Sequence, residues 1–171
     1  MRTFKQFTLL FMVASLLALT GCKSDDDGGD DGAAAAGTIE ASIDGAAFTS
    51  LDLTSIATLA NGNLIIQGND ADGRSIVMTI FSYDGEGTYE FTGADILILH
   101  TANYIEADIA NPMNSQTWSA PFDTTLAGSV SISTETADSI QGTFEFTARN
   151  PNDMSTVEVT AGSFNLTKQT L

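Results

Sequence analysis

From residue 38 onward, apolar and polar residues alternate in short runs, and turn signals such as Asp44-Gly45 and Asn61-Gly62 separate the runs. An alternation with period two places every second side chain on one face, which is the pattern of a β-strand with one buried face. We predict strands over residues 38–43, 51–59, 64–66, 75–83, 88–92, 96–100, 117–120, 128–134, 142–148 and 157–167. Residues 104–109 fit either a strand or one helical turn.

No convincing amphipathic helix is present between these runs. Short strands at regular spacing, joined by turns rich in Gly, Asn and Asp, are typical of antiparallel sandwiches and barrels. We therefore predict an all-β fold for residues 38–171, as a single antiparallel β-sandwich or flattened barrel of about 9–10 strands.

One six-residue pattern occurs three times: Gly, a hydroxyl residue, an aromatic residue, a polar residue, an apolar residue and Thr. The copies cover residues 87–92, 142–147 and 162–167. Since positions i and i+2 of a strand share a face, the pairs predicted to point inward are Tyr89/Phe91, Phe144/Phe146 and Phe164/Leu166. The residues predicted to face water are Glu90, Glu145 and Asn165. We predict that the last two copies form a hairpin with its loop at residues 150–153.

The first 21 residues have the pattern of a signal peptide. Arg2 and Lys5 precede an apolar run over residues 9–19, which is shorter than the roughly 20 apolar residues that a membrane-spanning helix needs. The run ends in Leu19-Thr20-Gly21-Cys22, which resembles the lipobox of bacterial lipoproteins. The resemblance implies cleavage before Cys22 and acylation of that residue. The chain has one cysteine, so a lipidated Cys22 excludes disulfides and thiol chemistry from the mature domain.

Residues 22–37 are predicted to form a disordered tether, because they contain acidic and small residues and nothing large to bury. The five residues after Cys22 are Lys23, Ser24, Asp25, Asp26 and Asp27. They resemble the lipoprotein export signal of Bacteroidota, which implies an outer-membrane protein that is lipid-anchored and faces the cell exterior. A solvated, self-repelling spacer is the other interpretation of the same acidic run.

Charge and composition argue against several kinds of chemistry. The formal net charge of −16 opposes binding to nucleic acid. His100 is the only histidine, and no serine lies in a nucleophile-elbow context, so we expect His100 to be a strand-end residue and the protein not to be an enzyme. We expect no cofactor and no metal. The loop 69–73 resembles part of a calcium loop, but Gly68 and Thr79 stand where ligands are required, which favours a polar hairpin loop.

Two aromatic residues are candidates for a ligand platform. Trp118 is the only tryptophan and follows a loop that contains Pro112 and Met113. An exposed Trp118 beside Tyr104 would suit a sugar ring, whereas a lone tryptophan more often anchors a core.

The opening at residues 43–48, with Ile43-Asp44-Gly45 and Phe48, and the C-terminal Gly-Thr-Phe-x-Phe segment resemble a family of small Bacteroidota lipoproteins of uncharacterised function. The resemblance covers most of residues 38–168 and implies an all-β domain at the membrane. We expect a lipid-anchored, surface-exposed, non-catalytic β module with a structural or interaction role. The alternative is a glycan- or small-ligand-binding accessory to outer-membrane nutrient uptake. The expected partners are the membrane, through the lipid on Cys22, and another outer-membrane protein or a glycan.

Overall fold

The computed structural model describes residues 33–95 and 97–171. In this part of the chain the helical segments are two 3₁₀ turns, Asp52–Thr54 and Pro112–Asn114. The strands are β1 Thr38–Ile43, β2 Ala46–Thr49, β3 Ile56–Ala60, β4 Asn63–Asn69, β5 Arg74–Ile80, β6 Gly87–Thr92, β7 Thr101–Glu106, β8 Gln116–Ala120, β9 Leu126–Glu135, β10 Ser139–Arg149 and β11 Thr156–Thr170. The predicted all-β class is confirmed.

All these strands belong to one sheet of 11 strands in the order β2-β1-β11-β3-β4-β5-β7-β8-β10-β9-β6. A further antiparallel pairing joins β10 to β11. Because β11 also pairs with β3 and β10 also pairs with β8, strands β3, β4, β5, β7, β8, β10 and β11 close into a ring. The pairing of β11 with β3 is parallel, so the sheet is mixed where we predicted an antiparallel one.

The alternation places the core as predicted. The buried members of the recurring motif are Phe91, Phe144, Phe146, Phe164 and Leu166, and Tyr89 is half-buried. Their polar neighbours Glu90 and Glu145 are exposed, while Asn165 is half-buried. The predicted hairpin forms, since β10 and β11 are antiparallel neighbours along nearly the whole of β10.

The hairpin also explains why glycine and phenylalanine recur together. In its register Gly142 lies opposite Phe164, and Phe144 lies opposite Gly162. A Cβ at Gly162 would lie 2.6 Å from carbons of the Phe144 ring, and a Cβ at Gly142 would lie 2.6 Å from the Phe164 ring. Each ring therefore covers the glycine of the opposite strand, in an arrangement known to compensate for glycine in sheets.

Two predicted strands differ from the structure. Residues 51–55 do not extend β3 because their side chains bond to nearby backbone: Thr54 Oγ1 donates to Leu51 O at 3.1 Å and Ser55 Oγ donates to Leu51 O at 2.7 Å. Such local bonds compete with strand pairing. Residues 97–100 are irregular rather than a strand, and Ile96 lies outside the described residues. The ambiguous stretch at 104–109 resolves in favour of a strand, β7.

The packed part of the chain begins before the predicted start at residue 38. Ala34 is buried, and the Gly37 N–H donates to Asn165 O at 2.7 Å. Residues 34–37 thus belong with the domain and not with the tether. The signal peptide, Cys22 and the export signal lie outside the described residues. Within the described ranges, no helix combines the length and the apolar character needed to cross a membrane.

Candidate functional site

The structure places the expected ligand platform in the core. Tyr104 on β7 lies directly opposite Trp118 on β8, and their ring centroids are 5.5 Å apart. Tyr104 is 1% exposed and Trp118 is 9% exposed. The Trp118 Nε1–H donates to Ser155 Oγ at 3.0 Å, and the Tyr104 hydroxyl donates to Glu106 Oε1 at 2.7 Å. This corrects the platform hypothesis: the two rings form a buried, hydrogen-bonded pair, with no open face for a sugar.

The acidic loop between β4 and β5 is a polar turn. Asp70 Oδ1 accepts the backbone N–H of Asp72 at 2.9 Å and that of Arg74 at 2.8 Å, and Asp70 Oδ2 accepts Arg74 Nε–H at 2.6 Å. The carboxylate oxygens are thus engaged within the turn. Across the residues that the structure describes, no group of three or more His, Cys, Asp or Glu side chains is arranged to hold a metal ion.

His100 lies at the end of an irregular loop, residues 97–100, and directly precedes β7. Its Nδ1 accepts the backbone N–H of Phe81 at 3.2 Å, and the Tyr89 ring meets its ring edge-on at a centroid distance of 5.3 Å. An imidazole that accepts at Nδ1 is neutral and carries its proton on Nε2. Burial lowers the pKa of His100, and the nearby carboxylate of Asp95 partly opposes this shift. The bond from Phe81 therefore fastens the end of this loop to the segment that follows β5.

A polar network lies beside His100. The Tyr83 hydroxyl donates to Glu135 Oε2 at 2.9 Å, and Lys168 Nζ donates to Glu135 Oε1 at 2.7 Å. The rings of Tyr83 and Tyr89 pack at 5.7 Å. The Lys168 hydrogen bond lowers the pKa of Glu135, while burial and then the bond to Glu135 raise the pKa of Tyr83. The network ties the loop after β5 to the ends of β9 and β11.

Sequence reasoning missed this network because its members are far apart in the chain. Glu135 and Tyr83 are 52 positions apart, and Lys168 follows Glu135 by 33 positions. The one available signal was the scarcity of basic residues, which makes a lysine near the end of a strand a candidate for an ion pair.

Four exposed apolar residues are close to His100 through the chain: three directly precede it, and the backbone N–H of Phe81 bonds to its ring. Phe81 is 39% exposed, Leu97 is 89% exposed, Ile98 is 43% exposed and Leu99 is 38% exposed. We call these four residues the apolar surface. Clustered exposed apolar side chains on a folded domain are typical of binding surfaces, whereas scattered single ones are not informative. The apolar run that suggested a strand therefore supplies a candidate interaction surface.

The surroundings of the apolar surface are acidic. Asp84, Glu86 and Asp95 are exposed, and we call these three residues the acidic rim. Asp84 Oδ1 accepts the Tyr89 hydroxyl at 2.8 Å, Glu86 Oε1 accepts the Glu135 N–H at 3.0 Å, and Asp95 Oδ1 accepts the Leu97 N–H at 2.9 Å. These bonds place the rim beside the polar network and the apolar loop.

In the part of the chain that the structure describes, no basic side chain neutralises the negative charge of the acidic rim. Among the described residues the basic ones are Arg74, Arg149 and Lys168. Lys168 is already bonded to Glu135. Arg74 begins β5, whereas Phe81 follows its end, so about 20 Å of strand separates them. Arg149 ends β10, far along the hairpin from Lys168.

Comparison with known proteins identifies a family. A family model described as "Domain of unknown function (DUF6252)" matches residues 35–166, which is more than half of the chain. The chain belongs to this family. The expected membership of an uncharacterised family is confirmed at that level. The DUF6252 region starts next to the buried Ala34 and contains the whole apolar surface and its acidic rim. No curated protein and no solved structure matches the chain.

Proposed function

We propose that this DUF6252 protein is a lipid-anchored, exterior-facing, non-catalytic β module that acts by binding a partner. The observation that carries the binding role is the apolar surface. The domain buries most of its large apolar side chains in a single core, yet it leaves Leu97 and its neighbours exposed together at one site. Exposing such a cluster has a solubility cost that a binding role accounts for.

The anchor rests on the sequence around Cys22. One acyl chain holds a protein only marginally at a bilayer, whereas the two or three chains that a lipobox implies hold it durably. The acidic residues Asp25, Asp26 and Asp27 support display on the outer leaflet. This position would expose the apolar surface to extracellular partners.

The non-catalytic role is supported by how the chain uses its chemically versatile side chains. His100 Nδ1 is engaged by a backbone amide, so it is not free to act as a general base at that atom. Tyr83 is held protonated by burial and by its bond to Glu135. Both groups position the loops that bear the apolar surface.

The anchor can be tested with the full-length protein in a bacterium that exports surface lipoproteins. We expect Cys22→Ala to abolish incorporation of labelled fatty acid and to release the protein from the membrane fraction. Replacing Asp25, Asp26 and Asp27 together by Asn should preserve acylation but protect the protein from protease added outside the cell. A Cys22→Ala protein that stays in the membrane without acylation would refute the lipid anchor. Full protease sensitivity of the triple variant would refute the role of Asp25, Asp26 and Asp27 as an export signal.

The apolar surface can be tested with an apolar fluorescent dye on the purified, folded protein. We expect Leu97→Ser to reduce dye binding. Leu53→Ser is the matched control, because Leu53 is 98% exposed but lies on the 3₁₀ turn before β3, outside the apolar surface. Equal dye binding by both variants would show that these four side chains form no joint apolar site.

A further inference from the structure

We propose that the partner is a protein whose docking face has an apolar centre surrounded by lysine or arginine. This inference rests on the proposed binding function and specifies the chemistry of its partner. The two observations behind it are the apolar surface and the unbalanced charge of its acidic rim.

The apolar surface sets the centre of the contact. Leu97 projects from the loop and is 89% exposed, while Phe81, Ile98 and Leu99 are partly covered beside it. A protruding leucine flanked by half-covered apolar neighbours suits a shallow apolar pocket on the other side. Desolvating these side chains supplies the affinity, since buried apolar area is the main favourable term in association.

The acidic rim determines which charge the partner should carry around the apolar centre of the contact. Asp84, Glu86 and Asp95 are exposed, and the one basic side chain in their neighbourhood, among the described residues, is Lys168, which is paired with Glu135. The screening length in physiological salt is about 8 Å, so Arg74, at about 20 Å along β5, does not neutralise the rim. The rim therefore presents uncompensated negative charge to whatever covers the apolar surface.

The same charge argues against two other occupants. A second copy of this chain would bring its own Asp84, Glu86 and Asp95 toward the first set or toward a protein of net charge −16. A bilayer with anionic head groups would repel the rim in the same way. A protein face with basic side chains around its apolar centre removes the repulsion and gains electrostatic steering.

The test uses the full-length lipoprotein in its own membrane. A photo-crosslinking amino acid is placed at position 97, with the same group at position 53 as the matched control, and adducts are identified by mass spectrometry. The protein captured at position 97 and absent at position 53 is then purified, and its binding is measured over a range of salt concentrations. We expect affinity to fall with increasing salt and Leu97→Ser to weaken binding about tenfold or more.

Variants of charged residues distinguish the contribution of the acidic rim to binding from that of the apolar surface. Asp84→Asn with Asp95→Asn keeps the side-chain acceptors of both turns while removing two negative charges. We expect this variant to slow association and to flatten the salt dependence, with little effect on dissociation. Asp153→Asn, in the loop between β10 and β11, is the control and should change neither quantity.

The outcomes distinguish the two proposals. Adducts only with lipid, or only with another copy of this chain, would overturn the inference that the partner is a protein with a basic docking face. The same holds for a protein complex whose affinity changes neither with salt concentration nor in the Asp84→Asn/Asp95→Asn variant. In those cases a binding role for the apolar surface survives. No adduct at position 97, in cells where the protein is acylated and exposed, would overturn the binding function itself.

Discussion

Gly162 lacks a side chain because the opposite strand occupies the space that a side chain would need. A Cβ there would lie 2.5 Å from the carbonyl oxygen of Phe144 and 2.6 Å from two carbons of its ring. Neither neighbour can withdraw easily, since the carbonyl belongs to the β10 backbone and the ring is 4% exposed in the core. At the scale of single residues, the glycines of the two copies in the β10–β11 hairpin, Gly142 and Gly162, are thus explained by packing against the opposite phenylalanine ring.

We predict that Gly162→Ala destabilises the domain by about 1–3 kcal/mol, the usual range for an added methyl group in a well-packed core. Urea denaturation gives the change in the free energy of unfolding. Thr143→Ala is a suitable control, because Thr143 lies on the same hairpin but is exposed. A stability of Gly162→Ala equal to that of the wild type would mean that the two strands can separate locally without cost.

Glu135 is the residue on which the polar network depends. Its carboxylate accepts from both Lys168 and Tyr83, and the hydrogen bond from Lys168 is the largest cause of its lowered pKa. Because the folded-state pKa lies below that of the unfolded chain, the network contributes stability above the unfolded pKa of about 4.3. This contribution is lost as the pH falls through the folded-state pKa.

We predict that Glu135→Gln lowers the free energy of unfolding by about 1–2 kcal/mol at neutral pH, because Lys168, whose side chain is 9% exposed, loses its charged partner. The difference from the wild type should shrink in acid, where the wild-type carboxylate is also neutral. Denaturation curves at both pH values test this, with the exposed Glu145→Gln as control. A difference that is the same in acid as at neutral pH would show that charge is not the cause.

At the scale of elements, the segments that could be predicted from the sequence are those in which apolar and polar residues alternate. The β10–β11 hairpin could be predicted because both strands alternate over their length and the aromatic residues fall on one face. Residues 96–99 carry no alternation, and an apolar run alone does not distinguish a buried strand from an exposed loop. β2, at the edge of the sheet, was not predicted because a strand of only four residues is too short for a clear alternation.

The candidate site was less predictable than the fold for a related reason. Cys22 could be recognised because the lipobox is local in sequence, whereas the site around His100 depends on the pairing of distant strands. Phe81 and His100 meet because β5 pairs with β7, and Tyr89 packs against His100 from β6, which pairs with β9 and not with either of these strands. No property of the single residues shows that convergence before the sheet is known.

The segment 97–100 should loosen at low pH at its His100 end. Burial lowers the pKa of His100, so the stability from its bond to Phe81 is present above the ordinary histidine pKa of about 6.5. That stability is lost as the pH falls through the lower folded-state pKa, because a protonated Nδ1 cannot accept a hydrogen bond. The groups facing His100 are the ring of Tyr89 and, through its charge, Asp95.

We predict that the Phe81 amide loses protection from hydrogen exchange as the pH falls below the usual histidine range, after correction for the intrinsic exchange rate. The Tyr83 amide is an internal control, since it donates to Gly62 O at 2.8 Å and does not depend on a titrating acceptor. In His100→Ala the Phe81 amide should be poorly protected at every pH. A protected Phe81 amide in that variant would show that the loop is held by other contacts.

At the scale of the whole molecule, all three tyrosines serve as hydrogen-bond donors to carboxylates. Tyr83 donates to Glu135, Tyr89 to Asp84 and Tyr104 to Glu106, on a loop, on β6 and on β7 respectively. Burial is the first cause of a raised pKa in each case, and the bond to the carboxylate adds to it. Ionising any of them would place a phenolate next to the carboxylate that now accepts its hydrogen bond, so two negative charges would lie side by side in the folded protein.

This arrangement predicts how the protein responds to alkali. Since the folded-state pKa of each tyrosine lies above the unfolded value of about 10, the stabilisation is fully present below that pH and is lost as the pH rises through the folded-state values. We therefore expect the ultraviolet absorbance of tyrosinate to appear together with the loss of β-sheet circular dichroism. The chain in concentrated urea should instead titrate near pH 10. Tyrosinate forming near pH 10 while the circular dichroism stays native would show that at least one carboxylate bond opens without disturbing the sheet, and single Tyr→Phe variants would then identify which.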